Sequence, residues 1–164
     1  MKKIIRKNVF ESNSSSTHSF SYSNSTYNDL KVDYDNYYDN YIHTSLGEFG
    51  WEIKDYFSSS AKLDYILLVA ANYEDCYLYS WDEEQARNLA KFQESSLFKE
   101  IEAVVKEYMD CDGIVLEEYS QGYIDHQSLE YDTFEDWLYN TGASSIEDFI
   151  FGDIVLHTDN DNHW

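Results

Sequence analysis

A run of small polar residues that ends in a histidine is the first segment with the residue types of a chemical site. It reads ESNSSSTHS and contains His18. Hydroxyls and backbone N–H groups in such a loop can hold a phosphate. Arg6 and Lys7 come within reach of His18 if the preceding strand and the loop fold back on each other. An exposed Ser/Thr loop with a solvated histidine has the same composition, so both interpretations stay open. The candidate phosphate-binding residues are Arg6, Lys7, Ser14, Ser15, Ser16 and Thr17.

A second segment, GYIDHQS at residues 122–128, places a carboxylate beside an imidazole. Asp125 and His126 follow a predicted strand and lie in a predicted turn. A carboxylate can orient an imidazole or hold it in its charged form. Side chains that are adjacent in sequence tend to point apart, however, so Asp125 need not be the partner of His126. A polar turn without chemistry is the alternative.

Several residues that could bind a metal ion lie close together near the C-terminus, where the sequence reads DNDNHW. Segments of this composition are usually solvated, so we predict no metal site and no cofactor. Cys76 and Cys111 have neither zinc-site spacing nor the number that a disulfide framework needs, which fits a reducing compartment. The candidate metal ligands considered are His157, Asp159, Asp161 and His163.

Length and composition indicate one folded domain spanning residues 1–164. The chain is 43% hydrophobic and 18% aromatic, whereas disordered chains combine high charge with few aromatics. Its longest apolar run, residues 66–71, is far shorter than the ~20 residues that span a bilayer. The basic start is followed by polar residues rather than by the apolar stretch of a secretion signal. We therefore expect a cytoplasmic protein without a membrane partner.

The charge is strongly acidic but unevenly distributed. Eleven Lys and Arg stand against 32 Asp and Glu, giving a net charge of -21. Residues 1–20 carry +3, and the remainder carries -24. Such a body repels DNA, RNA and anionic membranes, which excludes a general nucleic-acid binder. Its natural partners are basic surfaces, and solubility is the alternative reason for the acidity. The basic segment is either an edge strand docked on its own domain or a small local basic site.

Secondary-structure elements must position these residues, and the middle of the chain is predicted to be helical. Ser59 or Ser60 is a predicted cap for a helix over residues 61–74, with one apolar face. Asp82 can cap a second helix over 82–93, and Ser95 or Ser96 a third over 97–109. Two short helices are predicted at 133–139, where Thr133 and Asp136 form a capping box, and at 145–151, which Gly152 ends.

Strands are predicted on both sides of this helical middle, at residues 3–10, in the second half of 12–25, at 113–119 and at 154–157. Residues 24–41 are predicted to form an acidic Tyr/Asp-rich loop or insertion, and residues 42–51 a glycine-containing turn. The expected fold class is α+β, with a small, mostly antiparallel sheet from the N- and C-terminal segments packed with a helical middle at about 61–109.

The first segment, KKIIRKNVFESNSSSTHSF, resembles a group of small proteins of phages and mobile elements. They open with a basic strand and a VFETNSSSTHS-like sequence. The resemblance continues at residues 47–52 (GEFGWE), 62–65 (KLDY), 122–128 and, more weakly, 159–162. Some of the group resemble anti-CRISPR proteins aimed at Cas9-type effectors, including ones thought to act on the guide RNA. The Tyr/Asp tract, residues 24–41, departs from this pattern and is a candidate interaction surface specific to this chain.

The resemblance implies that the Ser/His loop and the Asp125-His126 turn form one site. Two imidazoles beside a phosphate suit RNA cleavage, since one takes the 2′-OH proton and the other protonates the leaving oxygen. His18 and His126 would be base and acid, in an order that the sequence does not assign. Arg6 or Lys7 would stabilise the negative charge of the pentavalent phosphate, and Glu48 or Asp125 would orient an imidazole.

A binding function without chemistry is the competing hypothesis, and we take binding as the minimum activity. Carboxylates would replace phosphates, and tyrosines would replace stacked bases, in the basic channel of a Cas9-type effector that holds its guide RNA. Such an inhibitor would act in the cytoplasm of a bacterial host cell. A phage or host accessory protein without a CRISPR target is the third possibility. The candidate partner-binding residues are Asp33, Asp35, Asp39, Glu83, Glu84, Glu117 and Glu118.

Overall fold

The computed structural model describes residues 19–32, 40–78, 83–117, 122–124, 129 and 131–158. Within these residues the chain forms an α+β fold, as predicted, in which strands from the N- and C-terminal parts surround a helical middle. The strands are β1 (Ser19–Tyr22), β2 (Tyr41–Thr44), β3 (Lys54–Tyr56), β4 (Gly113–Leu116) and β5 (Ile154–Thr158). The helices are α1 (Ser59–Tyr73), α2 (Glu83–Gln93), α3 (Ser96–Met109), α4 (Phe134–Thr141) and α5 (Ile146–Phe151).

The larger sheet has the strand order β1-β5-β3 and is antiparallel throughout. Phe20, Leu156 and Tyr56 stand opposite one another on adjacent strands, so their side chains share one face. That face packs on the core, because Leu156 is fully buried and its two neighbours pack against the buried cluster. The other face therefore carries the row Ser19, His157, Asp55.

A second sheet pairs β2 with β4 in parallel. This pair corrects one expectation, because residues 42–51 were predicted as a turn, whereas residues 42–44 belong to β2. The prediction of a mostly antiparallel arrangement is confirmed by the larger sheet. The segment YIHT of β2 has one fully buried side chain, Ile42, and is too short to show an alternating pattern. Its partner lies about seventy residues further along the chain, so its strand conformation depends on tertiary pairing.

Helix α1 is buried nearly all round rather than on the single predicted face. Residues 65–71 are all buried, and the helix contacts α3, α4 and α5. Its cap is Ser58 rather than the predicted Ser59 or Ser60, because the Oγ of Ser58 accepts a hydrogen bond from the N–H of Ala61 at 3.3 Å. The carboxylate of Asp29 also supports the start of the helix, because it accepts hydrogen bonds from the N–H and the Oγ of Ser60 at 2.8 and 2.6 Å.

The later helices begin within one residue of their predicted starts. The side chains of Ser95, Thr133 and Ser145 each accept a hydrogen bond from a backbone N–H three residues on. The positions of these caps are local features, since each depends on one short polar side chain before an apolar run. Asp82, the predicted cap of α2, lies outside the described residues. Among the described helices, none has both the length and the apolar composition needed to cross a membrane.

Lys62 is a fully buried cation in the second turn of α1. Its Nζ donates a hydrogen bond of 2.8 Å to the backbone carbonyl of Gly152, where α5 ends. Burial lowers the pKa of Lys62 to about 8, and the negative charges of Asp153 and Asp148 oppose this shift. The lysine therefore joins α1 to the α5–β5 connection at an electrostatic cost near neutral pH.

The Lys62→Met variant should remove a pH dependence from the stability of the protein. The pKa of Lys62 is lower in the folded chain than in the unfolded one, so the folded state binds fewer protons between about pH 8 and pH 10.5. Stability from this group consequently rises with pH in that window and falls as pH drops through 8. Urea unfolding at pH 8 and pH 9.5 should show a rise of about 1–2 kcal/mol in the wild type relative to Lys62→Met.

The exposed Lys106→Met variant on α3 is the matched control, and its stability should follow the wild-type pH dependence. Parallel curves for the wild type and Lys62→Met would contradict this account of Lys62.

Candidate functional site

Two segments that carry the family resemblance lie side by side in the structure. The aromatic turn, residues 46–51, contacts residues 122–124 through backbone hydrogen bonds. The N–H of Tyr123 donates to the carbonyl of Gly47 at 3.1 Å, and the N–H of Phe49 donates to the carbonyl of Tyr123 at 2.8 Å. Glu48 and Tyr123 form the corresponding parallel bridge. Two sequence blocks more than seventy residues apart thus form one surface.

Gly122 permits this close approach. A Cβ at Gly122 would lie 2.1 Å from Cδ2 of Leu68 in α1 and 3.1 Å from the Cβ of Leu46. Carbon atoms in contact prefer separations of about 3.5–4.0 Å, so a larger residue would require the buried side chain of Leu68 or the turn to shift. The glycine is therefore required by packing against α1 rather than by its backbone conformation.

The aromatic turn has an unusual backbone held by α1. Leu46 is buried with φ +56°, and Gly50 has φ +103°, both in the left-handed region. That conformation costs a residue with a side chain roughly 1–2 kcal/mol. The Oγ1 of Thr44 accepts a hydrogen bond from the N–H of Leu46 at 3.1 Å and itself donates to the carboxyl group of Asp64 in α1. This chain of bonds supports the strained residue.

Asp64 is a carboxyl group with a shifted pKa at the back of the turn. Burial raises the pKa of Asp64 to about 6, which the hydrogen bond from Thr44 opposes and the charge of Asp29 reinforces. A pKa raised in this way marks candidate functional groups. Here the carboxyl group contacts the turn through Thr44, so its observed role is to position residues 44–46.

Trp51 ends the aromatic turn on the protein surface. Its ring stacks on that of Tyr123, with centroids 4.7 Å apart and planes inclined by 27°. Trp51 is 45% exposed, and Ile53, two residues on, is 62% exposed. Aromatic side chains at exposed, well-supported positions are typical of binding hot spots, in which Trp and Tyr are enriched.

Both histidines that the structure describes are bound by carboxylates. The Nδ1 of His43 in β2 lies 3.0 Å from Oε1 of Glu117, just beyond β4. The Nδ1 of His157 in β5 contacts the carboxylate of Asp55 in β3. A carboxylate at Nδ1 orients the imidazole ring and selects its tautomer. His157 is the more exposed of the two, and Ser19 is its partner in the neighbouring strand β1.

Most of the predicted site lies outside the described residues. His18, Asp125, His126 and the candidate phosphate-binding residues 6, 7 and 14–17 belong to this group, as do Asp33, Asp35, Asp39 and Glu118. Glu83 opens α2, and Glu84 beside it is exposed.

Two further predicted carboxylates fall within the described residues. Glu117 binds His43, so its charge is partly engaged within the chain. Glu48, predicted as an orienting carboxylate, is an exposed residue of the aromatic turn.

No group of three or more metal ligands occurs among the described residues, where His157 is bound by Asp55. Asp159, Asp161 and His163 lie outside them. Cys76 and Cys111 are buried thiols. Burial raises the pKa of each, which disfavours the reactive thiolate.

A long acidic stretch is a signal that the sequence interpretation missed. Lys106 is the last lysine or arginine, and residues 107–164 contain fifteen Asp and Glu. In the described residues this stretch includes α4 and α5, each with two acidic residues in its first turn. Tyr139 in α4 is 79% exposed. We call residues 132–153, which contain both helices, the acidic α4–α5 region. Its carboxylates are Asp132, Glu135, Asp136, Glu147, Asp148 and Asp153.

Comparison with known proteins finds no matching family model, no matching curated protein and no matching solved structure. The functional argument therefore depends on the residues and contacts of this chain.

The Gly122→Ala variant should separate the aromatic turn from α1. Its added methyl group overlaps Leu68, and overpacking of this kind typically costs about 1–3 kcal/mol. We expect a lower free energy of unfolding by urea and faster amide hydrogen exchange at Phe49 and Tyr123, whose N–H groups join the two segments. Gly47→Ala is the matched control, since its Cβ would lie no closer than 3.1 Å to the ring of Phe49 and 3.9 Å from Oδ2 of Asp64. Equal stability of the two variants would contradict the packing role of Gly122.

Proposed function

We propose that this protein binds the basic nucleic-acid-binding surface of another protein, and that this partner is a Cas9-type RNA-guided effector. The observation that carries the proposal is the charge of the described surface. Fifteen acidic residues but only six basic ones are exposed there. An excess of this size creates a negative field that attracts basic surfaces and accelerates encounter with them.

Several exposed lysines make contacts within the chain, which leave this net excess of acidic residues unchanged. Lys54 pairs with Glu52 at 3.4 Å, and Lys99 pairs with Glu94 at 3.0 Å. The Nζ of Lys91 donates to the backbone carbonyls of Glu74 and Asp75, both at 3.2 Å. Half of the six exposed cations are therefore engaged within the chain, which favours a basic partner over an acidic one.

The acidic α4–α5 region presents some of its carboxylates in defined positions. Oδ2 of Asp136 accepts a hydrogen bond of 2.9 Å from the hydroxyl of its cap, Thr133. Oδ2 of Asp148 accepts from the N–H and Oγ of Ser144 at 2.9 and 3.0 Å. Carboxylates held in place lose little side-chain entropy on binding. Glu135 and Glu147 stand beside them on the exposed surface.

Cas9-type effectors fit this surface chemically. They hold the guide–target heteroduplex in a positively charged channel that contacts the nucleic-acid backbone. Carboxylates can occupy phosphate positions in such a channel, and the exposed Tyr131 and Tyr139 can occupy positions of stacked bases. The resemblance of the first segment to anti-CRISPR proteins supports this class of effector, with the cytoplasm of the bacterial host as the place of action.

Binding to a guide-loaded Cas9-type effector should depend on salt and on particular carboxylates. We expect the dissociation constant to rise at least about tenfold between 50 and 200 mM salt, because many exposed charges contribute. The double variant Glu135→Gln/Glu147→Gln should weaken binding about fivefold, at roughly 0.5 kcal/mol for each charge. A second variant, with Asn in place of Asp33, Asp35 and Asp39, tests the Tyr/Asp tract in the same assay.

The matched control is Glu100→Gln/Glu107→Gln, which removes the same charge from exposed positions of α3. His18→Ala should also bind normally if binding needs no chemistry. Salt-independent binding, or equal effects of the α3 and α4–α5 variants, would contradict a defined acidic interface.

Guide-RNA cleavage is a second candidate function, and one observation favours it. The oriented imidazole of His157 lies on the strand paired with Ser19, the residue that follows His18 in the chain. In this proposal one imidazole removes the 2′-OH proton, and the 2′-oxygen attacks phosphorus. The 5′-oxygen leaves with a proton from a second imidazole, so the products are a cyclic phosphate and a 5′-hydroxyl. His18 and His126 are the proposed pair, and His157 is a third candidate.

A single-turnover assay on guide RNA in the loaded effector tests this chemistry. Wild-type protein should shorten the RNA in the presence of EDTA and leave a cyclic phosphate end. His18→Ala and His126→Ala should each slow cleavage about 100-fold or more, the contribution typical of an acid or base. His157→Ala reports whether the third imidazole contributes. Intact RNA with the wild-type protein, or undiminished cleavage by both His18→Ala and His126→Ala, would reject this function.

A further inference from the structure

We propose that the stacked rings of Trp51 and Tyr123 form a binding site for the guanidinium group of an arginine on the partner protein. This inference rests on the proposed function and names the chemical group that the aromatic turn recognises. Arginine is the residue that basic nucleic-acid-binding surfaces use for phosphate recognition.

The geometry of the ring pair supports a planar cation as the ligand. Tyr123 stacks on Trp51, whose side chain remains 45% exposed. The indole ring is the best aromatic acceptor for a cation. A guanidinium group is planar and weakly hydrated, so it stacks on an aromatic ring more readily than an ammonium group.

The surrounding charges favour the same ligand. Glu48 and Glu52 flank the end of the turn, and both are exposed. The same strip of chain already holds one cation over an aromatic ring, because Nζ of Lys54 lies 4.9 Å from the ring centroid of Tyr56. Glu52 pairs with this lysine at 3.4 Å. A second cation, supplied by the partner, would meet the same kind of environment at Trp51.

The backbone beneath the rings is fixed before binding. The bridge between Glu48 and Tyr123 sets the relative positions of the two segments. Gly122 packs directly on α1, and Thr44 ties the start of the turn to Asp64. A preorganised aromatic anchor loses little conformational entropy when its ligand arrives. Tyr77, four residues beyond the end of α1, is 61% exposed and has no aromatic stacking partner among the described residues.

Variants of the ring pair test the site in the effector-binding assay. Trp51→Ala should weaken binding to the guide-loaded effector about tenfold, and Trp51→Phe, which keeps a ring on Tyr123, about threefold. Tyr77→Ala is the control, because it removes an aromatic side chain that is 61% exposed at another position. Thermal unfolding of each variant shows whether the fold is retained. Equal binding by the folded Trp51 variants and the wild type would overturn the inference while leaving the proposed function standing.

A second measurement is independent of the effector. Fluorescence anisotropy should compare labelled hexa-arginine and hexa-lysine peptides, which carry the same net charge. The wild type should prefer hexa-arginine about fivefold, and Trp51→Ala should show a ratio near one. Tyr77→Ala should keep the wild-type ratio. An equal affinity of the wild type for both peptides would overturn the arginine site, whether or not the effector binds.

Discussion

The burial of helix α1 on nearly all sides is the constraint on which the rest of the structure depends. A helix that is apolar around its circumference must be covered by other elements. Helices α3, α4 and α5 pack on it, and the buried ring of Tyr65 lies 5.2 to 6.2 Å from the rings of Phe20, Phe49 and Trp137. Phe20 belongs to the larger sheet, so one helix organises strands from both ends of the fold.

Polar residues at the start of α1 connect this core to the surface. The Oγ of Ser59 donates to the carbonyl of Ile150 at 3.0 Å, and Lys62 donates to that of Gly152. Asp64 binds Thr44, which in turn supports the strained Leu46. Three residues within two turns of the helix therefore hold the end of α5 and the beginning of the aromatic turn. The candidate site depends on the core through these bonds and through the packing of Gly122.

Local features of the fold could be predicted from sequence, whereas tertiary ones could not. The caps at Ser95, Thr133 and Ser145 depend on neighbours three residues away, so they are visible in the sequence. Strands β2 and β3 have four and three residues and form only by pairing with distant segments. The full burial of α1 was not predicted. The sequence pattern indicates one apolar face, but it does not show which elements pack on the helix from other directions.

The candidate site shows the same division. The sequence blocks at 47–52 and 122–128 were identified by resemblance, but only the fold places Tyr123 against Trp51. The Asp55–His157 pair joins residues 102 positions apart, so sequence spacing could not indicate it. The predicted catalytic residues His18 and His126 lie outside the described residues, and their roles stay predictions. The absence of Lys and Arg from residues 107–164 was visible in the sequence, and together with the exposed carboxylates it supports the proposal of a basic partner.

The central claim is that the acidic surface occupies the place of nucleic acid on a basic protein. The most direct test is competition, measured as the release of fluorescently labelled target DNA from a guide-loaded Cas9-type effector as the protein is added. The account predicts full release at saturating protein and an apparent affinity that falls as the DNA concentration rises. Binding of the protein while the labelled DNA stays in place would contradict it, as would the absence of any binding.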